Sequence, residues 1–445
     1  MRRLPHKLAV FAIPASLVAI PFAATAQSSA AVPRHFYTSA LYDDPVLAKA
    51  QALTLQAAEE ATEANAPLLP EATLRSERGR QGNGPWVTSI ELRIAQSLVN
   101  REALSTLAAA RARAQAAVAE GDAARQDLLL RAASAWTLLD VRRQERQFAI
   151  ADRDALAFQA ARSQARFEVG LAPRIDAVET GAQQTSAVAR ILAADVALDD
   201  ARQAVTQIAR SWTLAKQEDA SIHRLWPTQA PRVVAPDHEP FAVTAARHRL
   251  NAANHARRAA QAARWPTLSL QLRYGRSSIA TNKKIAPTPF RRRPSLILGL
   301  QVTMPLMGTA IASANVRRAN AQWDAAAAEL GIATRDATRS IRRLERAQQS
   351  NESIVHARQS AEAASRASVE ATRAGLDTGT RTTVDALLSQ RRLLDARRAT
   401  ANATATQFLG RLSLFAARGM LEATDLERPP TGLNLSIKEA ARFPD

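Results

Sequence analysis

The 445-residue sequence contains no cysteine. A disulfide framework, a Cys-based metal site and a thiol nucleophile are therefore excluded, and an exported form must hold together by packing or oligomerisation. Aromatic residues are also scarce, at 4%, although hydrophobic residues make up 47% of the chain. Much of that apolar content is alanine, which builds helices and thin helix–helix seams rather than bulky globular cores. Proline is missing from Trp86 to Ala172, from Arg174 to Trp226 and from Leu306 to Arg428. Past the first residues, no window offers the eighteen or so apolar residues that a membrane-spanning helix needs.

At the start, Arg2, Arg3 and Lys7 precede the apolar run LAVFAIPASLVAIPFAA and the small-residue site Ala24-Thr25-Ala26. This pattern predicts an export signal over residues 1–26, removed from the mature chain; Pro14 and Pro21 argue against a retained anchor. The formal net charge is +18. A nucleic-acid partner would need clustered cations and aromatic platforms. Here the arginines are dispersed among Glu and Asp along helices, which predicts solvated helix faces and no nucleic-acid binding.

The chain contains its architecture twice. Pro70–Arg80 (PEATLRSERGR) aligns with Pro266–Arg276 (PTLSLQLRYGR), and Phe167–Glu179 (FEVGLAPRIDAVE) with Leu376–Leu388 (LDTGTRTTVDALL). Each copy reads as strands, a long alanine-rich helix, a Gly-centred reversal and a further helix. The first copy spans 27–240 and the second 241–428, followed by a loosely ordered tail over 429–445. The proline-rich stretch Ala215–Pro240 is the crossover.

Four segments alternate with period two: Pro70–Arg78, Trp86–Leu98, Thr267–Gly275 and Ser295–Met304. In the last, Leu296, Leu298, Leu300, Val302 and Met304 lie opposite Ile297, Gly299, Gln301 and Thr303. Such segments suit an outer-membrane barrel or a half-buried soluble sheet. The remaining length is helical, so no further strands complete a sheet. Four strands are too few to close a barrel, and closure would require oligomerisation.

The Pro-free stretches predict continuous helices; Asn100–Ala165 would reach roughly 100 Å at 1.5 Å per residue. Globular cores seldom hold such helices, so a coiled-coil tube or stalk is expected. Leu387, Leu394, Ala401, Phe408 and Phe415 recur every seven residues as a packing seam.

The loop predicted over Arg276–Pro294 is longer than its counterpart at Gly79–Pro85. It carries Arg276, Lys283, Lys284, Arg291, Arg292 and Arg293 without an acidic residue. Two readings stand: a solvated basic loop, or a contact with anionic lipopolysaccharide. No catalytic constellation is present. His248 and His255 are seven apart, too far for the i,i+3 or i,i+4 pairs that hold metals, and GRQGNG lacks the Lys-Ser/Thr ending of a phosphate loop. No enzyme activity, cofactor or metal is predicted.

Gly170 and Gly379 are expected to end helices in the left-handed conformation, with Pro173 and Thr380 opening the next ones. Asp176 and Asp385 then occupy equivalent positions beside the two turns. Around them, RFEVGLAPRIDAVETGAQ and the segment from DTGTRTTVDALL to MLEATDL resemble the two periplasmic-tip segments of the TolC family of outer-membrane channel proteins. The resemblance runs from near Asp43 to Leu426.

That resemblance implies a mainly α fold with a small transmembrane β part. A long α-helical coiled-coil tunnel would join four strands per protomer, contributed to a trimeric 12-stranded β-barrel. It implies a homotrimer in the outer membrane lipid, serving as the exit duct of a tripartite efflux pump or type I secretion system. A periplasmic adaptor and an inner-membrane transporter would be its partners. It further implies a constriction at Asp385 and an inter-coil lock of Asp176 with Arg381. Two positions depart from the family pattern: Leu388 stands where a second acidic ring is expected, and Leu376 where an aromatic lock partner is common. The alternative from another class is a periplasmic coiled-coil scaffold or adaptor without a barrel.

Overall fold

The computed structural model describes residues 32–80, 86–170, 173–210, 239–280, 294–305, 309–378 and 380–426. The predicted signal, most of the crossover and the predicted tail lie outside them. In chain order the elements are α1 (Arg34–Asp43), α2 (Pro45–Glu63), β1 (Glu71–Arg80), β2 (Trp86–Val99), α3 (Arg101–Glu168) and α4 (Arg174–Ile208). The second half gives α5 (Phe241–Ala262), β3 (Thr267–Ala280), β4 (Ser295–Thr303), α6 (Thr309–Asp377), α7 (Thr383–Ala417) and the short α8 (Ala423–Leu426).

The duplication holds at the level of length. The long helices α3 and α6 have 68 and 69 residues, and the helices that return from the tips, α4 and α7, have 35 each. No described helix is long and apolar enough to cross a membrane.

The strands form one antiparallel sheet in the order β1-β2-β3-β4. Side chains alternate across it, so the register aligns like with like. Leu74, Leu92, Tyr274 and Leu296 make one row across all four strands, and Ala72, Ile94, Leu272 and Leu298 the next. These residues lie on one face, which is open to solvent along both edge strands: Leu74, Leu296 and Leu298 are each about 70% exposed, while Ile94 and Leu272 between them are half-buried. The opposite face carries Arg93, Arg273, Gln271 and Gln301, with Gln271 donating its amide to Gln301. A soluble sheet would bury its apolar face, whereas this one displays it, as a barrel strand displays its lipid side.

Two strands run past their predicted ends, and the first is β1, which takes in Gly79 and Arg80, expected in the turn. β3 continues to Ala280, paired with Trp86–Ile90 of β2, so Arg276 sits in a strand opposite Ile90 rather than in a loop. The polar run Arg-Ser-Ser breaks the alternation that marks a strand, but pairing with β2 supplies the backbone hydrogen bonds that extend it. Lys283, Lys284 and Arg291–Arg293 lie outside the described residues.

Helices repeat the lateral order of the strands. Each strand continues into one helix: β1 from α2, β2 into α3, β3 from α5 and β4 into α6. α3 packs against α2, α4, α5 and α7, and α6 packs against α5 and α7. A core gathers where these lanes meet α1 and α8. Phe36, Leu128, Trp136 and Leu139 pack there with Leu198, Val205, Phe408, Leu412 and Leu426, and the Phe36 and Trp136 rings are 5.8 Å apart. The heptad stripe of α7 turns inward as expected: Leu394, Ala401 and Phe408 are buried.

At the start of α2, the buried Asp44 accepts from the Val46 and Leu47 amides at 2.7 and 2.9 Å and from Arg131 of α3 at 2.7 Å. Burial alone would raise its carboxyl pKa. The Arg131 guanidinium and the two amides outweigh that and hold it below the usual carboxylate range.

Candidate gate at the hairpin tips

Two helical hairpins, α3/α4 and α6/α7, end away from the sheet in tight reversals. In the first, Gly170 takes φ +77° and donates to the Phe167 carbonyl at 2.9 Å, the left-handed helix end expected there. Pro173 then precedes α4 without a side-chain cap. Asp176 occupies the third helical position, exposed, with its own amide bonded to the Pro173 carbonyl.

The second reversal is built differently. Among the described residues its hub is Gly375, inside the last turns of α6; Gly379, expected to end the helix, lies outside them. The Gly375 carbonyl accepts from the Thr380 and Arg381 amides at 2.8 and 3.0 Å. It also accepts from the Thr380 and Thr378 hydroxyls at 3.0 and 3.2 Å. Arg381 folds over this glycine so closely that a Cβ at 375 would lie 2.6 Å from Arg381 Cγ. The glycine is therefore required by close approach. The sequence signal for it was the pair of threonines flanking Gly379, which supply the donors.

Thr382 then caps α7. Its hydroxyl accepts from the Asp385 amide at 3.2 Å, while the Asp385 carboxylate accepts from the Thr382 amide at 3.0 Å and hydroxyl at 2.9 Å. This reciprocal capping box holds Asp385 at the third position of α7, the same helical position as Asp176 in α4. The Thr382 amide, then the Thr382 hydroxyl, lower the Asp385 pKa; slight desolvation opposes them and the nearby Arg381 charge adds to them. Asp385 is thus a fixed anion at neutral pH. Leu388, one turn on, is 45% exposed, and Ile175, Val178 and Val384 are similarly uncovered apolar side chains at the tips.

Within one chain, no described hydrogen bond or ion pair joins Asp176 to Arg381. Among the described ion pairs, the link between the hairpins is made by Asp152 of α3, missed by sequence reasoning. It accepts from Arg190 of α4 at 2.7 Å and lies 3.8 Å from Arg391 of α7. The α6/α7 pair has its own buried acid, Glu362, 3.7 Å from both Arg366 and Arg397. No local pattern flags either acid, because partner choice among many arginines is made by the packing.

This combination of a four-stranded sheet and long paired helices is found among known proteins. The sequence profile described as "Outer membrane efflux protein" matches residues 36–209 and 239–419. The chain belongs to the outer membrane efflux protein family. The two matched segments fall on the two copies of the duplication. Outer membrane protein TolC of Vibrio cholerae is 25% identical over 413 residues, covering 90% of this chain and 94% of that protein. Outer membrane protein TolC of Escherichia coli is 26% identical, covering 88% and 82%. Among solved structures, a membrane protein from Pseudomonas aeruginosa superposes with a TM-score of 0.73 at 21% identity, covering 92% of this chain and 99% of that one. The outer membrane protein VceC from Vibrio cholerae gives 0.72 at 18%, covering 87% and 95%. The protein is thus an outer-membrane efflux channel, and the scaffold without a barrel is set aside.

Proposed function

We propose that three copies close into one pore and that the hairpin tips are its gate. The observation that carries this reading is the matching lateral order of strands and helices. β1 and β4 are both free edges, and α2 and α6 lie at the same two sides of the helical layer. Pairing β4 of one copy with β1 of the next, three times, gives twelve strands and leaves no edge. The two repeats are read as 27–240 and 241–428. The duct itself is passive; an inner-membrane transporter and a periplasmic adaptor of a tripartite pump or type I secretion system would supply energy and docking.

In that assembly three Asp385 carboxylates and three Leu388 side chains approach the axis. The carboxylates favour cations, and the leucines narrow the opening by an apolar ring in place of a second acidic one. Asp176 and Arg381, unpaired with each other within one chain, would meet across coils of adjacent copies, beside Leu376. Lys283, Lys284 and Arg291–Arg293, with Arg276 in the last third of β3, are proposed to contact lipopolysaccharide phosphates.

Planar-bilayer recording tests the gate. Arg381→Ala is expected to raise resting conductance, and Asp385→Asn to reduce cation selectivity. Wild-type conductance in the first and wild-type selectivity in the second would remove the lock and the ring from the reading. Crosslinking Cys residues introduced on β1 and β4 is expected to give trimers; dimers alone would contradict threefold closure.

A further inference from the structure

A groove of about 340 Å³ lies where strand gives way to helix, between the start of α3 and the end of α5. It is lined by Arg101, Leu104 and Ser105 on one side and by Arg258, Gln261 and Trp265 on the other. The Arg101 guanidinium carbon stands 4.4 Å from the centre of the Trp265 ring. Trp265 and Leu104 are both about half exposed. Among the described residues, no carboxylate pairs with Arg101 or Arg258; Glu102, the adjacent acid, is exposed and does not line the groove.

The height of this groove is fixed by the sheet. Trp265 stands two residues before β3, and Arg101 two residues after β2. Immediately above are the last apolar rows, Leu268 beside Val302 and Leu270 beside Leu300. A tryptophan at the end of an apolar band marks the membrane–water boundary, and here it is the periplasmic one. Two uncompensated guanidiniums at that depth offer forked donors that match phosphate oxygens, and basic pockets at this level suit anionic headgroups.

We propose that this groove binds the phosphodiester headgroup of an anionic glycerophospholipid from the periplasmic leaflet. Arg101 and Arg258 hold the phosphate, Ser105 and Gln261 provide hydroxyl and amide groups for its ester and glycerol oxygens, and Trp265 with Leu104 lines the path of the upper acyl chain. The site pins the junction between barrel and tunnel to the membrane plane. It rests on the sheet's spanning the outer membrane, which the conductance of the same preparation reports separately.

Native mass spectrometry of the purified full-length channel, titrated with phosphatidylglycerol or phosphatidylcholine, tests this. The wild type is expected to retain phosphatidylglycerol in preference, and the double variant Arg101→Gln/Arg258→Gln to lose that preference by about tenfold, as two charge-assisted contacts would require. Equal retention in wild type and variant would overturn the site. Equal retention of the two lipids by the wild type would overturn its charge selectivity. Displacement of phosphatidylglycerol by an equimolar amount of inorganic phosphate would show a free-anion site and overturn the lipid assignment. Should the double variant not fold, Trp265→Leu gives the same readout, with reduced phosphatidylglycerol retention expected and unchanged retention counting against the groove.

Discussion

Arg381 occupies the space that a side chain at Gly375 would need: a Cβ there would fall 2.6 Å from Arg381 Cγ and 3.3 Å from Arg381 Cβ. Over-packing of this kind typically costs about 1–3 kcal/mol, taken up locally when the neighbour can move. Gly375→Ala should therefore displace Arg381 and loosen the second tip turn. The expected result is a raised resting conductance in planar bilayers with a thermal midpoint close to that of wild type. In an Arg381→Ala background the same substitution should add much less, because the clash at Cγ has gone; full additivity would mean the two residues do not act through each other.

The ion pair between α3 and α7 makes a second, separable prediction. Asp152 is 15% exposed and serves Arg190 and Arg391 together. Asp152→Asn removes both pairs, while Arg391→Gln removes only the link between hairpins. Partly exposed pairs contribute about 1 kcal/mol or less to stability, so neither variant should melt much earlier. Both should still increase spontaneous openings in single-channel records. Openings that rise in Asp152→Asn alone would place the effect within the first hairpin.

Acid should weaken the second tip through Asp385. Its carboxyl pKa is depressed in the folded chain, so its stabilising contribution is complete above the unfolded value, about 3.9. That contribution is lost as pH falls through the lower folded value. Thr382→Val removes the hydroxyl that both accepts and donates in the capping box. The acid limb of the cation-selectivity profile should then move upward in pH. An unmoved limb would mean that another carboxylate sets it.

Asp44 makes a prediction about stability rather than gating. Asp44→Ala leaves α2 uncapped and Arg131 without its buried partner, an expected loss of about 2–4 kcal/mol. A thermal melt followed by circular dichroism checks this, and ion selectivity should be unchanged. The Asp44 pKa is also depressed, so the protection it gives is present above about pH 3.9 and fades as pH drops through its folded value.

Much of this architecture is legible in the sequence. Alternation over Ser295–Met304 marked β4, and the Pro-free run after Asn100 marked α3, because a strand's period and a helix's length are local properties. The boundaries shifted where tertiary pairing took over: β3 runs to Ala280 since Trp86–Ile90 offers it partners. At the tips, Gly170 behaved as its sequence implied, having no neighbour to satisfy. Gly375 was marked only indirectly, by the threonines that donate to its carbonyl; the close approach of Arg381 across it has no local signal. Asp152 was equally silent; its partners lie on two other helices, and nothing within a few residues of position 152 distinguishes it from other acids on α3.

The paired free edges of the sheet bear on heredity as much as on structure. If three identical seams close the pore as proposed, one defective seam opens the ring. A copy whose β4 edge is blocked, for instance by proline at Leu298, still presents a sound β1 and can join two normal copies. Expressed in equal amounts with the wild type, it would leave only about one assembly in eight free of a defective subunit. Mutations at this seam should therefore be dominant.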